Sequence, residues 1–297
     1  MTTDTTRTDI IEQNGVLIGP WRRPRNLAAT QRGSIHDDAT AQKLGFRGGT
    51  VAGSIHMEQF PPVLLRAFGN RWFETGSLSC YFRNATTDGE PVRTLAQLPP
   101  PGATDPQINV WMERDDGTQV LEGTASVVAP AEPSMLRRKL AEPREPGEQR
   151  MLGHLPLGDV GAPVAVRLDL AAREPRARLD VITEPLDWYT GPSPWGGPVL
   201  NPGLVVHLMV QAQQRMDLAR AKAVGLYGAI EVRHLAGPVF ANHDYEVTGK
   251  ILAVGQTPKT EYLWYETLLR EPAARKDIAS MLMMLRFMKA SSPLWQT

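Results

Sequence analysis

Two stretches of this chain carry apolar residues at helical spacing. In Ser54–Phe68 they are Ile55, Phe60, Val63, Leu64 and Ala67; in Leu204–Val224 they are Leu204, Leu208, Ala212 and Met216. Each stretch predicts a helix. Pro61-Pro62 predicts a kink or a broken first turn in the first, because proline lacks the N–H that a helix interior needs. Both stretches open on a glycine-rich segment, Gly48–Gly53 in one case and Gly196–Gly203 in the other. Strand-like segments follow each. After the first come Gly76–Asn84, Pro91–Leu98, Gln107–Glu113 and Gln119–Ala129; after the second come Leu226–Leu235, Tyr245–Val254, Thr260–Leu269 and Ile278–Phe287. Polar and apolar residues alternate clearly in Thr118–Val128 and Glu246–Val254, and turn signals at Asp88-Gly89, Asp116-Gly117 and Val254-Gly255-Gln256 separate the segments. The same order of elements thus occurs twice. Helices this apolar have to be covered, so the pattern predicts an α+β fold of two modules, each an antiparallel sheet wrapped around a long central helix.

Proline marks the joint. The stretch Pro130–Pro146 holds four prolines and many charges and reads as a linker, with a short helix at Ser134–Leu140. The expected organisation is a first module over 1–135, a linker over 136–150 and a second module over 151–297.

Composition narrows the function classes. Apolar residues make up 42% and charged residues 22% of 297, which supplies a packed core. Basic and acidic residues number 32 each, so no surplus of positive charge draws the chain to a nucleic-acid backbone. Zero net charge leaves little repulsion between copies, and a homodimer is compatible with it. The single cysteine, Cys80, excludes an internal disulfide and a cysteine-based zinc site, and no other metal-ligand spacing and no cofactor motif occurs; none of either is expected. The polar N-terminus, Met1–Gly15, has no signal-like apolar run, and no apolar run reaches the ~18 residues of a membrane span; a cytoplasmic protein is expected.

One segment carries more specific information: Gly33-Ser34-Ile35-His36-Asp37-Asp38, then Ala41, then Gly45-Phe46-Arg47-Gly48-Gly49-Thr50-Val51-Ala52-Gly53. Further on, Tyr81-Phe82-Arg83-Asn84 is followed by Asp88-Gly89-Glu90, and Val232–Val239 repeats that hairpin loosely. This pattern resembles the MaoC-like hydratases and dehydratases, over about residues 20–130 well and 185–290 more loosely. The resemblance implies a double hotdog fold and a reaction on an acyl thioester of coenzyme A or a carrier protein. It departs where the family's catalytic Asp would stand, five residues before the histidine: that position is Gln31, and Gly33 and Ser34 replace an Asn and a Pro. In the second half Asp187–Trp195 replaces the histidine segment, which marks a degenerate copy that shapes a longer acyl tunnel.

Hydration of an enoyl thioester needs a group that moves protons and a donor for the developing thioester oxyanion. His36 suits the first, since histidine ordinarily titrates near neutral pH. The backbone N–H of Gly53 at a helix start suits the second. Gln31 cannot take up a proton and can only hold a water. Asp37 or Asp38 could stand in for the missing carboxylate, although Asp38 also reads as the N-cap of a helix over Ala39–Leu44. Arg47 and Gly49 could face a phosphate or carboxylate. Trp188, Tyr189, Trp195 and Asn201 could line a pocket opposite. His56 and His207 sit early in the two helices and read first as core histidines bonded to backbone carbonyls; His56, one turn beyond Gly53, is also a candidate substrate contact, as Asp38 is. The expected function is a hydratase or dehydratase of an acyl thioester. The alternatives are a divergent hotdog isomerase, elimination or cyclisation enzyme of secondary metabolism, and a non-catalytic protein that binds an acyl chain or small molecule.

Overall fold

The computed structural model describes residues 9–128, 130–142 and 147–296. The first eight residues of the polar N-terminus, Ala129 and the 143–146 part of the linker lie outside the described residues.

Twelve strands form one antiparallel sheet. In the first half they are β1 (Ile11–Gln13), β2 (Val16–Ile18), β3 (Gly76–Phe82), β4 (Val92–Gln97), β5 (Gln107–Arg114) and β6 (Gln119–Val127). In the second they are β7 (Gly158–Asp159), β8 (Val164–Arg167), β9 (Gly225–His234), β10 (Asp244–Gln256), β11 (Thr260–Glu271) and β12 (Lys276–Met288). The order across the sheet is β1-β2-β4-β5-β6-β3-β9-β12-β11-β10-β7, with β8 on β10. All eight long strands fall on the predicted strand-like segments. The turn between β5 and β6 shows why: Gly117 has φ +79°, a left-handed conformation that glycine adopts without a Cβ penalty.

The two sheets that the sequence predicts join into one continuous sheet. The edge strands of the two halves pair with each other, β3 on β9, over Ser77–Tyr81 against Arg233–Ala229. An unpaired edge leaves N–H and C=O groups open, and joining the halves satisfies them.

The central helices also differ from expectation. The predicted Ser54–Phe68 is two pieces, α2 (Gly53–Met57) and α3 (Pro61–Phe68), which follow the short α1 (Asp38–Lys43). Pro61 and Pro62 occupy the first positions of α3, where missing N–H groups cost nothing, and so the chain restarts rather than continues. The helix α4 (Arg71–Thr75) leads into β3, and α6 (Arg173–Leu179) lies between β8 and the second module's helix. That helix, α7 (Pro202–Met209), tightens into 3-10 turns at Val210–Arg215 and Leu218–Ala221 instead of running to Val224. The helices bury Met57, Phe60, Val63, Leu64, Val205 and Met209 against the sheet's inner face. Each such side chain contributes about 1.5–3 kcal/mol by leaving water. On the outer face a smaller core holds Leu136 of α5 (Met135–Ala141) against Ala229, Trp264, Leu282 and Met284. Ser134 caps α5 by accepting from Arg137 N at 3.2 Å, so the helix expected in the linker forms.

Candidate functional site

Beyond Tyr81 and Ala229 the strands β3 and β9 no longer pair. There a cavity of about 910 Å³ opens. One wall comes from the first half: the loops holding Gln31, His36 and Phe46, the start of α2 at Gly53, and Phe82–Ala85. The other comes from the second half: Gly225–Gly228, the hairpin Thr257–Thr260 and the end of β12.

His36 reaches this wall through a tightly bonded loop. Gln31 O accepts from Ser34 N and Ser34 Oγ, and Ser34 Oγ accepts from His36 N at 3.2 Å. The His36 carbonyl accepts from Asn26 Nδ2 at 2.8 Å. The ring Nδ1 lies 2.7 Å from Thr50 O. A carbonyl only accepts, so Nδ1 carries a proton, and in the neutral ring Nε2 holds the lone pair. Gly49 makes the approach possible, because a Cβ there would stand 2.2 Å from the His36 carbonyl oxygen.

Asp38 has a role other than the expected ones. The N-cap of α1 is Asp37, whose carboxylate accepts from Ala39 N at 3.2 Å and from Thr40 Oγ1. Asp38 Oδ1 instead accepts from Gly49 N at 2.6 Å and ties α1 to the strand of chain beneath His36. Neither Asp37 nor Asp38 lines the cavity, nor do Arg47 and Gly49. Arg47 is spent on Glu90 at 2.7 Å and on the Ala85 carbonyl.

Gly53 lines the cavity as the first residue of α2, and the Phe82 ring lies flush on it: a Cβ would meet that ring at 2.5 Å. His56 also borders the cavity but is buried, and both its nitrogens are engaged. Nε2 lies 2.8 Å from Thr86 Oγ1 and Nδ1 lies 3.3 Å from Gln59 Nε2. Since the amide donates to Nδ1, Nε2–H donates to Thr86, a side-chain partner rather than the expected backbone carbonyl. Burial pushes its pKa down to about 4, which keeps the ring neutral. His207 is not a core histidine; it lies near the surface, 3.7 Å from Glu174.

The expected second-half pocket residues do not line the cavity. Trp195 packs on Trp188 and Phe73 and donates its indole N–H to Glu74 at 3.0 Å. Asn201 is fully buried and caps α7 by accepting from Leu204 N at 2.8 Å. Tyr189 is buried, and burial, with Glu58 and Glu184 nearby, holds its phenol protonated. At the start of α7, where the first module's helix opens on a cavity, the space is filled: Arg178 pairs with buried Glu58 and donates to Ser54 Oγ at 3.1 Å. Gly203 leaves room for them, since a Cβ would stand 2.3 Å from both.

The second half supplies cavity residues that the sequence pattern did not single out: Tyr227, Lys259 and Arg286. Tyr227 sits where β9 leaves the sheet seam, and burial raises its phenol pKa. Arg286 had a visible signal, a cation inside the apolar run Met281–Met288. Among the described residues no Asp or Glu lines the cavity, and no group of three His, Cys, Asp or Glu side chains could hold a metal ion. No helix among them is long and apolar enough to cross a membrane.

No family model matches this chain, and no curated protein matches it. Solved structures do. A protein from Chloroflexus aurantiacus J-10-fl described as a MaoC domain dehydratase superposes with a TM-score of 0.61 at 14% identity, over 94% of this chain and 96% of that one. A Mycobacterium tuberculosis protein with a double hotdog fold gives 0.56 at 15% identity, over 93% and 97%. A MaoC-like dehydratase gives 0.51 at 16% identity, over 88% and 92%. The chain has the double hotdog fold that these proteins share.

Proposed function

We propose that the protein is a hydratase or dehydratase of an acyl thioester, with His36 as its acid and base. The observation that carries this reading is the anchored ring: Thr50 O fixes the proton on Nδ1 at 2.7 Å, on a cavity wall that also holds the start of α2. In hydration His36 Nε2 takes a proton from water as the water oxygen bonds to Cβ of the enoyl thioester. The double-bond electrons move to Cα and onto the thioester oxygen. The imidazolium then returns its proton to Cα, and the dehydration runs these steps backward. Gly53 N–H, in the first turn of α2 where no helical acceptor exists, is the proposed donor to the thioester oxygen. Gln31 on the same wall holds the water by its amide. The Chloroflexus structure's description as a dehydratase agrees with this chemistry.

A second reading draws on the carboxylate-free wall. A lone histidine suffices to move a proton between two carbons of a substrate, which is an isomerisation. One experiment separates the two. Enoyl- and 3-hydroxyacyl-CoA esters of several chain lengths are incubated with wild type and His36→Ala, and enoyl absorbance is followed. Dehydration of a 3-hydroxyacyl ester creates that absorbance, which a shift of a double bond cannot do, and His36→Ala abolishes the gain. Folded wild-type protein that leaves every ester unchanged rules out the hydratase reading.

A further inference from the structure

The cavity wall carries ionisable charge of one sign, through Arg83, Lys259 and Arg286. Arg83 is already paired, donating from Nε to Glu122 at 2.8 Å. Arg286 is not: among the described residues no carboxylate lies within 4.0 Å of it. Its Nη2 donates to the Tyr81 hydroxyl at 2.7 Å, and its Nε is buried without a partner.

The surrounding sheet is shaped for this guanidinium. Pairing of β12 with β9 shifts register between Met284↔Ala229 and Leu285↔Tyr227, and Gly228 is left over as a bulge. A Cβ on Gly228 would stand 2.5 Å from Met284 Cε, 2.6 Å from Arg286 Nε and 3.1 Å from its Cδ. The seat lies at the seam, beside the last β3–β9 pair, Tyr81↔Ala229. Arginine cannot shed its charge, and a buried cationic donor without an acceptor is unfavourable. The packed Nε holds the guanidinium in place, while Nη1, which has no hydrogen bond among the described residues, is left to meet a carboxylate or phosphate oxygen in the cavity.

We propose that Arg286 is the receptor for an oxyanion group of the ligand that fills the cavity, with Lys259 on the hairpin rim drawing that ligand in. The proposal rests on the cavity being the reaction site. The oxyanion is either a carboxylate on the acyl chain itself or a phosphate of its thioester carrier, and the test tells them apart.

Calorimetric titration of the full chain at low ionic strength uses three probes: coenzyme A, glutarate and the uncharged glutaramide. The expected result is saturable binding of coenzyme A or glutarate and none of glutaramide. Coenzyme A alone assigns a carrier phosphate; glutarate assigns a substrate carboxylate. Arg286→Gln weakens that binding by about tenfold or more, the worth of a charge-assisted hydrogen bond. Gly228→Ala weakens it too by displacing the guanidinium. Arg93→Gln, which removes a cation paired with Glu113 away from the cavity, leaves it within about twofold. Thermal melts establish that each variant is folded. If neither anion binds wild type, or folded Arg286→Gln binds as tightly, the proposal is overturned. Thioester turnover that needs His36 but is unchanged in Arg286→Gln overturns this proposal alone. Arg286-dependent anion binding with no turnover of any thioester keeps it and overturns the hydratase reading.

Discussion

His36 is fixed at its backbone N–H by Ser34, at its carbonyl by Asn26 and at its ring by Thr50. In the reaction proposed above the ring is the proton carrier, so its removal costs chemistry more than structure. His36→Ala is expected to lower turnover by about 10²–10⁴-fold with little change in melting temperature, the usual worth of a proton-transfer residue. The Gln31 position makes the complementary case. A carboxylate there could accept a proton from water, which an amide cannot. Gln31→Asp should therefore raise the hydration rate by about tenfold, and an unchanged kcat would argue against a water held at residue 31. Two buried histidines, His56 and His234, couple their protonation to folding. Burial pushes the pKa of His56 and of His234 down to about 4, against about 6.5 when unfolded. Because the folded values are the lower ones, the neutral rings stabilise the protein above pH ~6.5, and that contribution is lost as pH falls toward 4. Each can cost about 3 kcal/mol once the unfolded state is protonated. Burial raises Glu58 and Glu184 in the opposite sense, so the informative quantity is the difference between variants. Denaturant unfolding at pH 7 and pH 4.5 should show a shallower acid loss in His234→Gln than in wild type.

Among the elements, the start of α7 is filled where the start of α2 borders a cavity. The α7 start holds Gly203, as α2 holds Gly53, yet Arg178 from α6 and Glu58 occupy the space. Both are nearly out of solvent, at 14% and 3% exposure. Arg178→Met would leave the Glu58 carboxylate buried without its cation, a loss of about 3–5 kcal/mol on general experience with broken buried pairs. Replacing both, as Arg178→Met with Glu58→Leu, should recover most of that loss in denaturant melts, because the desolvation cost disappears with the charges. No recovery would mean that the pair is not what Arg178 contributes. The same elements show what sequence could convey. Strand-like composition marks every long strand, with alternation clear only in Thr118–Val128 and Glu246–Val254, because strands buried on both faces, such as β12, lose the period of 2. The break before α3 was announced as well, by Pro61-Pro62. The filling of the α7 site was not, because Arg178 and Glu58 are far apart in the chain and nothing local marks them as partners. Asp38 is a related case: its place next to a helix start suggests a cap, while its carboxylate accepts from Gly49 N, eleven residues on. Tyr189, Trp195 and Asn201 had the composition of a pocket wall and became core, since aromatic and amide side chains serve both uses.

At the scale of the whole molecule, the two halves share structure that neither completes alone. The pairing of Ser77–Tyr81 with Arg233–Ala229 makes one sheet of two. Around it, groups from the first half meet groups from the second: Arg22 with Glu184 at 2.7 Å, Trp195 with Glu74 at 3.0 Å, and Arg137 of α5 with buried Glu231 at 3.2 Å. A single inner core contains Phe60 and Leu78 together with Leu204, Ile230 and Met283. Unfolding one half would expose that core, open the sheet edge of the other and leave Glu231 without its cation. Those costs couple the halves, although chains of this length often unfold in stages. Urea unfolding is therefore expected to show one transition, with Trp fluorescence and far-ultraviolet circular dichroism falling together. Two separated transitions would show that the β3–β9 seam and its ion pairs hold the halves side by side without making them one cooperative unit. That result would also bear on the cavity, because its two walls come from different halves and keep their spacing only while the seam is closed.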